Sequence, residues 1–175
     1  MPITLRPATL ADAATLRDIY APYVEHTAIT FEYDVPTAEE FRRRIERVQA
    51  QYPWLVAEGD DGTPLGYAYA SPFHERAAYQ WSVETSIYIA TSQRRLGLGR
   101  LLHDALETRL RQQGILNLNA CLAYVEPEDE HLTLDSVRFH ERMGYTRVAH
   151  FHQCGRKFGR WYDMIWMEKL IGPHQ

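Results

Sequence analysis

Six consecutive residues, Arg94-Arg95-Leu96-Gly97-Leu98-Gly99, have the types and spacing of an anion site. Before them, Trp81, Val83, Thr85, Ile87 and Ile89 alternate with Ser82, Glu84, Ser86 and Tyr88, the period of a strand. After them, Leu98, Leu101, Leu102, Ala105, Leu106 and Leu110 fall on one helical stripe that Gly114 is placed to stop. The first turn of a helix has N–H groups with no partner inside the helix, and it carries partial positive charge. Glycines let a phosphate approach that backbone, and Arg94 and Arg95 add formal charge. The turn therefore predicts a phosphate site, with a diphosphate as its natural guest. It is not a P-loop, since no Gly-Lys-Ser/Thr follows, and Leu102 stands where a dinucleotide fingerprint has its third glycine.

The elements that must hold this turn can be read in order. Ile3 to Arg6 is a short strand, and Thr9-x-x-Asp12 opens a helix that buries Leu16, Ile19, Tyr20, Tyr23 and Val24. Thr27 to Pro36 is a loop rich in Thr, Phe and Tyr, which either lines a pocket or lids the core. Thr37-x-x-Glu40 is a capping box before a helix carrying Phe41, Ile45 and Val48. Trp54 to Glu58 and Leu65 to Ala70 are strands joined by Gly59-Asp60-Asp61-Gly62. Past the central unit, Leu116, Leu118, Ala120 and Leu122 alternate as a strand. A short helix opens at Asp135 or Ser136 and closes at Gly144, and Thr146 to Phe151 and Tyr162 to Glu168 form an antiparallel pair. The order β-α-α-β-β-β-α-β-α-β-β predicts one α/β (α+β) domain over residues 1–175 with a mixed, mostly antiparallel sheet.

Composition excludes several classes. With 45% hydrophobic residues, 175 residues supply a full core, and a formal charge of -4 argues against nucleic acid as a partner. The opening MPITLRPATLADAATL has no charged region followed by an apolar one, so no signal peptide is expected, and no apolar run has membrane-spanning length. Two cysteines give no disulfide framework, which fits a reducing cytoplasm.

Arg94-x-x-Gly97-x-Gly99 is similar to the pyrophosphate-binding turn of the GCN5-related N-acetyltransferases. Around it, in order, stand Val83-Glu84-x-Ser86-Ile87-Tyr88-Ile89, Phe139-His140-Glu141-x-x-Gly144-Tyr145 and Gly155-x-Lys157-x-Gly159-x-Trp161-x-Asp163. With Leu5-Arg6-Pro7-Ala8-Thr9, Thr30-Phe31-Glu32 and Gly66-Tyr67-Ala68, the series resembles the phosphinothricin and methionine sulfoximine acetyltransferase branch over about residues 3 to 170. The resemblance implies an acetyltransferase fold whose central strand splays from the strand at Leu116–Ala123. It implies acetyl-CoA in the gap, its pyrophosphate on Arg94, Arg95, Leu96, Gly97, Leu98 and Gly99 and its pantetheine paired with backbone at Ile87, Tyr88 and Ile89. Thr133 and Ser136 stand where the branch has an Asn-x-x-Ser that contacts the pantetheine. This chain departs there, with Thr133 in the Asn place and an acidic approach, Glu126-Pro127-Glu128-Asp129-Glu130-His131.

Acetyl transfer to an amine requires an ammonium to lose a proton, a donor for the oxyanion and, where the thiolate needs one, a proton for sulfur. Glu84 shares a strand face with Ser86 and Tyr88, and its apolar flanks (Tyr79, Trp81, Val83) predict a raised pKa suited to a base. The resemblance implies that same role, and it gives His140 a place as acid, relay or structural residue. A backbone N–H at Tyr88 or Ile89 is the expected oxyanion donor. For the acceptor, Arg76 is the candidate carboxylate clamp, with Phe73, Tyr79, Phe31, Tyr33 and Tyr124 as walls. The expected reaction is direct attack in a ternary complex by the amine of an amino acid or an analogue such as phosphinothricin or methionine sulfoximine. A polyamine or a protein N-terminus is the alternative acceptor, and relatives commonly form homodimers. Two other chemistries stand beside this one. Cys121 is a candidate nucleophile with no base evident beside it. His150, His152 and Cys154, at i, i+2 and i+4, share one face of an extended strand as a candidate metal module, although the acetyltransferase reading requires no metal.

Overall fold

The computed structural model describes residues 2–175, and the element order is the one read from the sequence. Strand β1 (Thr4–Pro7) precedes α1 (Ala13–His26) and α2 (Ala38–Gln49); β2 (Trp54–Glu58), β3 (Pro64–Pro72) and β4 (Ser82–Ile89) follow. Then come α3 (Leu98–Gln112), β5 (Asn117–Tyr124), α4 (Asp135–Arg142), β6 (Thr146–Lys157) and β7 (Arg160–Leu170). The seven strands form one sheet in the order β1-β2-β3-β4-β5-β7-β6. All neighbours are antiparallel except β4 and β5, which a helix connects and which run parallel.

Alternation along each strand assigns the two faces. Leu55, Ala57, Ala68, Ala70, Val83, Leu118, Ala120, Ile165 and Met167 bury against α3 together with Leu98, Leu102, Leu106 and Leu110. On the opposite face Trp54, Val56 and Tyr67 bury against Leu16, Ile19 and Tyr20 of α1 and Phe41 and Ile45 of α2. The stripe of α3 differs from the expected one at a single place. Leu101 is exposed, and His103 takes the buried position between Leu102 and Leu106.

Local signals worked as their chemistry requires. Thr37 caps α2 by accepting from the Glu40 N–H at 3.1 Å. The Thr9 N–H donates to Asp12 at 2.7 Å, but the residues it opens, Leu10–Asp12, form a 3₁₀ turn before α1 begins. The last two strands are longer than the sequence pattern suggested. They meet in a two-residue turn, Phe158-Gly159, with both φ positive (53° and 71°), the geometry that follows the twist of a hairpin.

Lys157 ties this hairpin to the rest of the chain. Its buried ammonium donates to the carbonyls of Val24, Thr27 and Thr30 at 2.7–2.8 Å, a cation at the C-terminal end of α1 where orphan carbonyls collect. The 27–36 loop is thereby fixed on the β6–β7 hairpin. Tyr33 donates to the Arg156 carbonyl at 2.6 Å, and the Phe31 ring lies where a Cβ on Gly155 would meet it at 2.3 Å.

Candidate active site

The sheet opens at its centre. β4 and β5 are paired only at Ser82↔Asn117, Val83↔Leu118 and Glu84↔Asn119, although both strands run on for about five more residues. The fork is clamped by side chains. The Asn119 amide donates to the Val83 carbonyl at 3.1 Å, and the Thr85 hydroxyl reaches the Asn119 carbonyl at 3.4 Å. Behind Thr85 the Tyr145 hydroxyl lies 3.3 Å from Oγ1 and 2.8 Å from His103 Nε2. Burial holds His103 neutral, with a pKa lowered to about 4, so this network carries no charge.

Past the fork, the free edge of β4 faces the gap. The Ala90 N–H donates to the Leu65 carbonyl on the β3 side at 2.9 Å. Alternation then turns the N–H groups of Ile87 and Ile89 toward the gap and that of Tyr88 toward β3. Of the two expected oxyanion donors, the edge therefore presents Ile89 and not Tyr88. The Ile89 carbonyl is already taken by the Tyr23 hydroxyl at 2.5 Å.

The strand ends at the glycine turn. Gly97, the N-cap of α3, has φ +78°, a conformation that a side chain strains. Gly99 serves a different need, since a Cβ there would stand 3.1 Å from the Phe139 ring, so its absence lets α3 pack on α4. The first intrahelical bond runs from Leu101 to the Gly97 carbonyl, leaving the N–H groups of Leu98, Gly99 and Arg100 to a ligand or water. The Arg94 guanidinium lies 5.3 Å from the Tyr23 ring, and neither Arg94 nor Arg95 has an anionic partner among the described residues.

These parts line one cleft of about 480 Å³, bounded by Ile87–Ile89, Arg94, Arg95, Gly97–Arg100, Thr133, Ser136, Phe139 and His140. An uncharged arm fits against the β4 edge, and a phosphate group fits at the α3 N-terminus beside two arginines. The structure thus brings together the cofactor residues that the sequence had nominated, apart from the exposed Leu96, which does not line the cleft.

His140 forms part of the wall. Its Nδ1 is 2.7 Å from the Ser136 carbonyl, which can only accept, so Nδ1 carries the proton and Nε2 offers a lone pair. Burial lowers its pKa, partly opposed by that hydrogen bond, and the edges of Phe139 and Tyr145 fix the ring. A neutral imidazole with this tautomer accepts a proton at Nε2 and does not donate one.

Glu84 stands at the last paired position of the fork, on the sheet face of α1 and α2, opposite the face that carries His140. Its carboxylate pKa is raised by desolvation, and no cation contributes. Beside it is Cys121, whose thiol is pushed up to about 12, by burial first and by Glu84 next. A thiol held that high is not a nucleophile at neutral pH. Phe73 packs edge-on against Tyr79 and against Trp166, which pairs with Cys121 across β5 and β7. Trp166, which sequence reading missed although the alternation Tyr162, Met164, Trp166 marks it, joins this aromatic group beside Cys121. Arg76 caps the turn before β4 and is exposed, with no ion pair among the described residues. Phe31 and Tyr33 form a separate group on the β6–β7 hairpin. Tyr124 joins neither group. It faces the α3 side, bonds Glu126 at 2.7 Å and lies under Arg147.

The expected metal face is also rearranged. A bulge with Gln153 at φ +48° breaks the alternation of β6, so Cys154 turns away toward the Phe151 carbonyl while His150 and His152 stack at 4.2 Å.

Comparison with known proteins agrees with this geometry. Residues 5–166 match the family model described as an acetyltransferase (GNAT) domain. The chain is 39% identical to a phosphinothricin N-acetyltransferase of Streptomyces viridochromogenes, covering 98% of this chain and 90% of that protein. It is 31% identical to an L-methionine sulfoximine/L-methionine sulfone acetyltransferase of Salmonella typhimurium, over 98% and 96% of the two. The crystal structure of a phosphinothricin acetyltransferase from Sinorhizobium meliloti in complex with acetyl-CoA superposes with a TM-score of 0.89 at 31% identity, over 98% and 90% of the two chains. With the forked sheet and the glycine turn at its mouth, these matches place the chain in the GNAT family, as an acetyl-CoA-dependent N-acetyltransferase of the phosphinothricin and methionine sulfoximine type.

Proposed function

We propose that the chain acetylates the amine of a small amino acid or an analogue such as phosphinothricin or methionine sulfoximine, by direct attack within a ternary complex. The observation that carries this reading is Glu84, an unpaired carboxylate with a raised pKa at the fork, on the face opposite the cofactor cleft. Acetyl-CoA lies along the free edge of β4 from the α3 side, and the acceptor reaches the gap from the α1 side. Glu84 takes the ammonium proton, directly or through a water, and the Ile89 N–H donates to the oxyanion as the amine attacks. His140, neutral with Nε2 open, orients the thioester end of the cleft and accepts rather than gives a proton. The Cys121 thiol takes no covalent part.

Arg76 holds the acceptor's carboxylate, between the aromatic group of Phe73, Tyr79 and Trp166 and solvent. The names of the relatives, which act on phosphinothricin and methionine sulfoximine, support an amino-acid-like acceptor over a polyamine or a protein N-terminus. The same reading includes a homodimer, for which exposed Val148 and Phe151 on the edge strand β6 offer an apolar strip, and the cytoplasm, which suits two unpaired cysteines. No helix among the described residues is long and apolar enough to cross a membrane.

The test is a panel of amines assayed for CoA release with wild type and Arg76→Ala. A charge-assisted hydrogen bond contributes about 1.5–3 kcal/mol, so KM for an amino acid should rise roughly 10- to 150-fold. KM for a carboxylate-free amine of similar size should hardly change. Equal losses on both acceptors would make Arg76 structural, and turnover of the carboxylate-free amine alone would assign the enzyme to polyamines or protein termini.

A further inference from the structure

The bulge in β6 gathers three side chains of metal-ligating type outside the cleft at the glycine turn. His150 and His152 come from β6 and Asp163 from β7, and one donor atom from each lies within 4.8 Å of the others. The three are arranged rather than scattered. The Gln153 N–H, inside the bulge, donates to one Asp163 oxygen at 2.8 Å, which points the other oxygen at His150 Nε2 at 2.7 Å. The Tyr124 ring packs edge-on against the His150 ring at 5.1 Å. His152 stacks on His150 at an interplanar angle of 15° and is exposed, so the site opens to solvent on one side.

We propose that His150, His152 and Asp163 form a binding site for a late first-row divalent ion of the zinc class, separate from the acetyl-CoA cleft. Two imidazoles and a carboxylate are a borderline donor set of the kind that Zn²⁺, Ni²⁺ and Cu²⁺ take and that Mg²⁺ and Ca²⁺ do not. Bonds of about 2.0–2.1 Å place tetrahedral ligand atoms about 3.3–3.5 Å apart, so the widest separation needs to close by at most about 1.5 Å while the His150–Asp163 pair, now at 2.7 Å, opens to admit the ion. His152 and the partly exposed His150 can make that movement by small χ rotations. On binding, the proton that His150 Nε2 now donates to Asp163 moves to Nδ1 or to solvent, and the freed lone pair becomes the ligand. Water or an external anion fills the fourth position. Asp163 and Gln153 border a cavity of about 440 Å³ with Glu126, Arg160 and Trp161, so the open position adjoins a pocket. The ion would bridge the bulged part of β6 to β7.

Calorimetric titration of tag-free protein with ZnCl₂, and the visible spectrum with CoCl₂, test the assignment. One equivalent should bind wild type, Cys154→Ser and Cys121→Ser alike, with no thiolate charge-transfer band for cobalt. His152→Ala, whose exposed ring leaves the fold intact, should weaken binding by at least the ~10–100-fold seen when even an outer-shell partner is lost. Asp163→Asn, which keeps an acceptor for the Gln153 N–H, should do the same, while MgCl₂ should produce no heat of binding. The absence of saturable binding in wild type overturns the proposal. So does unchanged affinity in both variants, or loss only in Cys154→Ser.

Discussion

Glu84→Gln isolates one step of the reaction because the side chain has so few other duties. Desolvation is the only cause of its shift, so no ion pair breaks when the charge is removed, and the amide keeps the shape. An α-amine with a pKa near ~8 in a peptide, and higher beside the free carboxylate of an amino acid, is at most about one-tenth free base at pH 7, and a positioned general base contributes roughly 10²–10⁴-fold. The variant should therefore lose about 10²-fold or more in kcat/KM at pH 7. It should regain about tenfold or more by pH 9, as the amine deprotonates unaided. The wild-type acid limb should lie above the ordinary Glu range, since the folded pKa is raised. Stability gives an independent reading with a definite sign. Between the unfolded and the raised folded pKa the native state binds more protons, so stability falls as pH rises through that window, and the full cost is present above it. Glu84→Gln removes this cost and should be at least as stable as wild type at pH 7 by thermal unfolding. A pH–rate profile of kcat/KM superimposable on wild type would refute the assignment of the base, and a destabilised variant would refute the unpaired carboxylate.

Three further outcomes follow from other parts of the structure. Gly97→Asp should weaken acetyl-CoA binding, read by titration calorimetry, by more than Gly97→Ala, because both strain the left-handed backbone at φ +78° but only the carboxylate repels phosphate. Lys157→Met strands the carbonyls of Val24, Thr27 and Thr30, at about 1–3 kcal/mol for each buried one, so stability to urea should fall by about 3 kcal/mol or more. Tyr145→Phe removes the hydroxyl between His103 and Thr85, leaving both ring nitrogens of His103 unbonded. It should cost about 1–3 kcal/mol of stability and raise KM for acetyl-CoA more than it lowers kcat.

What could be read from the sequence divides along physical lines. Element order was legible because each element repeats its own period, and the glycine turn was legible because strand, turn and helix are contiguous. The faces of the site were harder. Glu84 on its strand face follows from alternation, and alternation puts Tyr124 on the stripe of Leu118, Ala120 and Leu122, yet that this stripe faces away from Glu84 depends on the register of β4 against β5, which no local pattern states. His103 was passed over in favour of Leu101 because a hydrophobic stripe favours leucine, whereas the position is chosen by the Tyr145 hydroxyl it must meet. Cys154 was placed with two histidines by a strict two-residue repeat, and one residue at positive φ undoes that count. The glycines gave their positions but not their reasons, since Gly97 answers a backbone angle and Gly99 answers a ring on another helix.

The fork itself explains why a polar network is buried beneath it. A strand edge open in the middle of a sheet exposes N–H groups that would otherwise pair with the neighbouring strand, and β4 and β5 each run on for about five residues past their last pair. Something must make the unzipped state the stable one. Asn119 and Thr85 cross the fork with their side chains at the point where the backbone ladder stops, and Tyr145 with neutral His103 fills the α3 face behind them. Closing the strands by one more pair would require Thr85 and Asn119 to reorient and leave the Tyr145 hydroxyl and a buried imidazole without partners, which costs more than one ladder bond returns. The gap is therefore held open before any ligand arrives, and the Ile87 and Ile89 N–H groups are left for a ligand that can bring its own amide-like acceptors. The same opening joins the two faces of the sheet. Under the proposed reaction, a cofactor on the α3 side and an amine beside Glu84 on the α1 side would meet through it without either binding site intruding on the other.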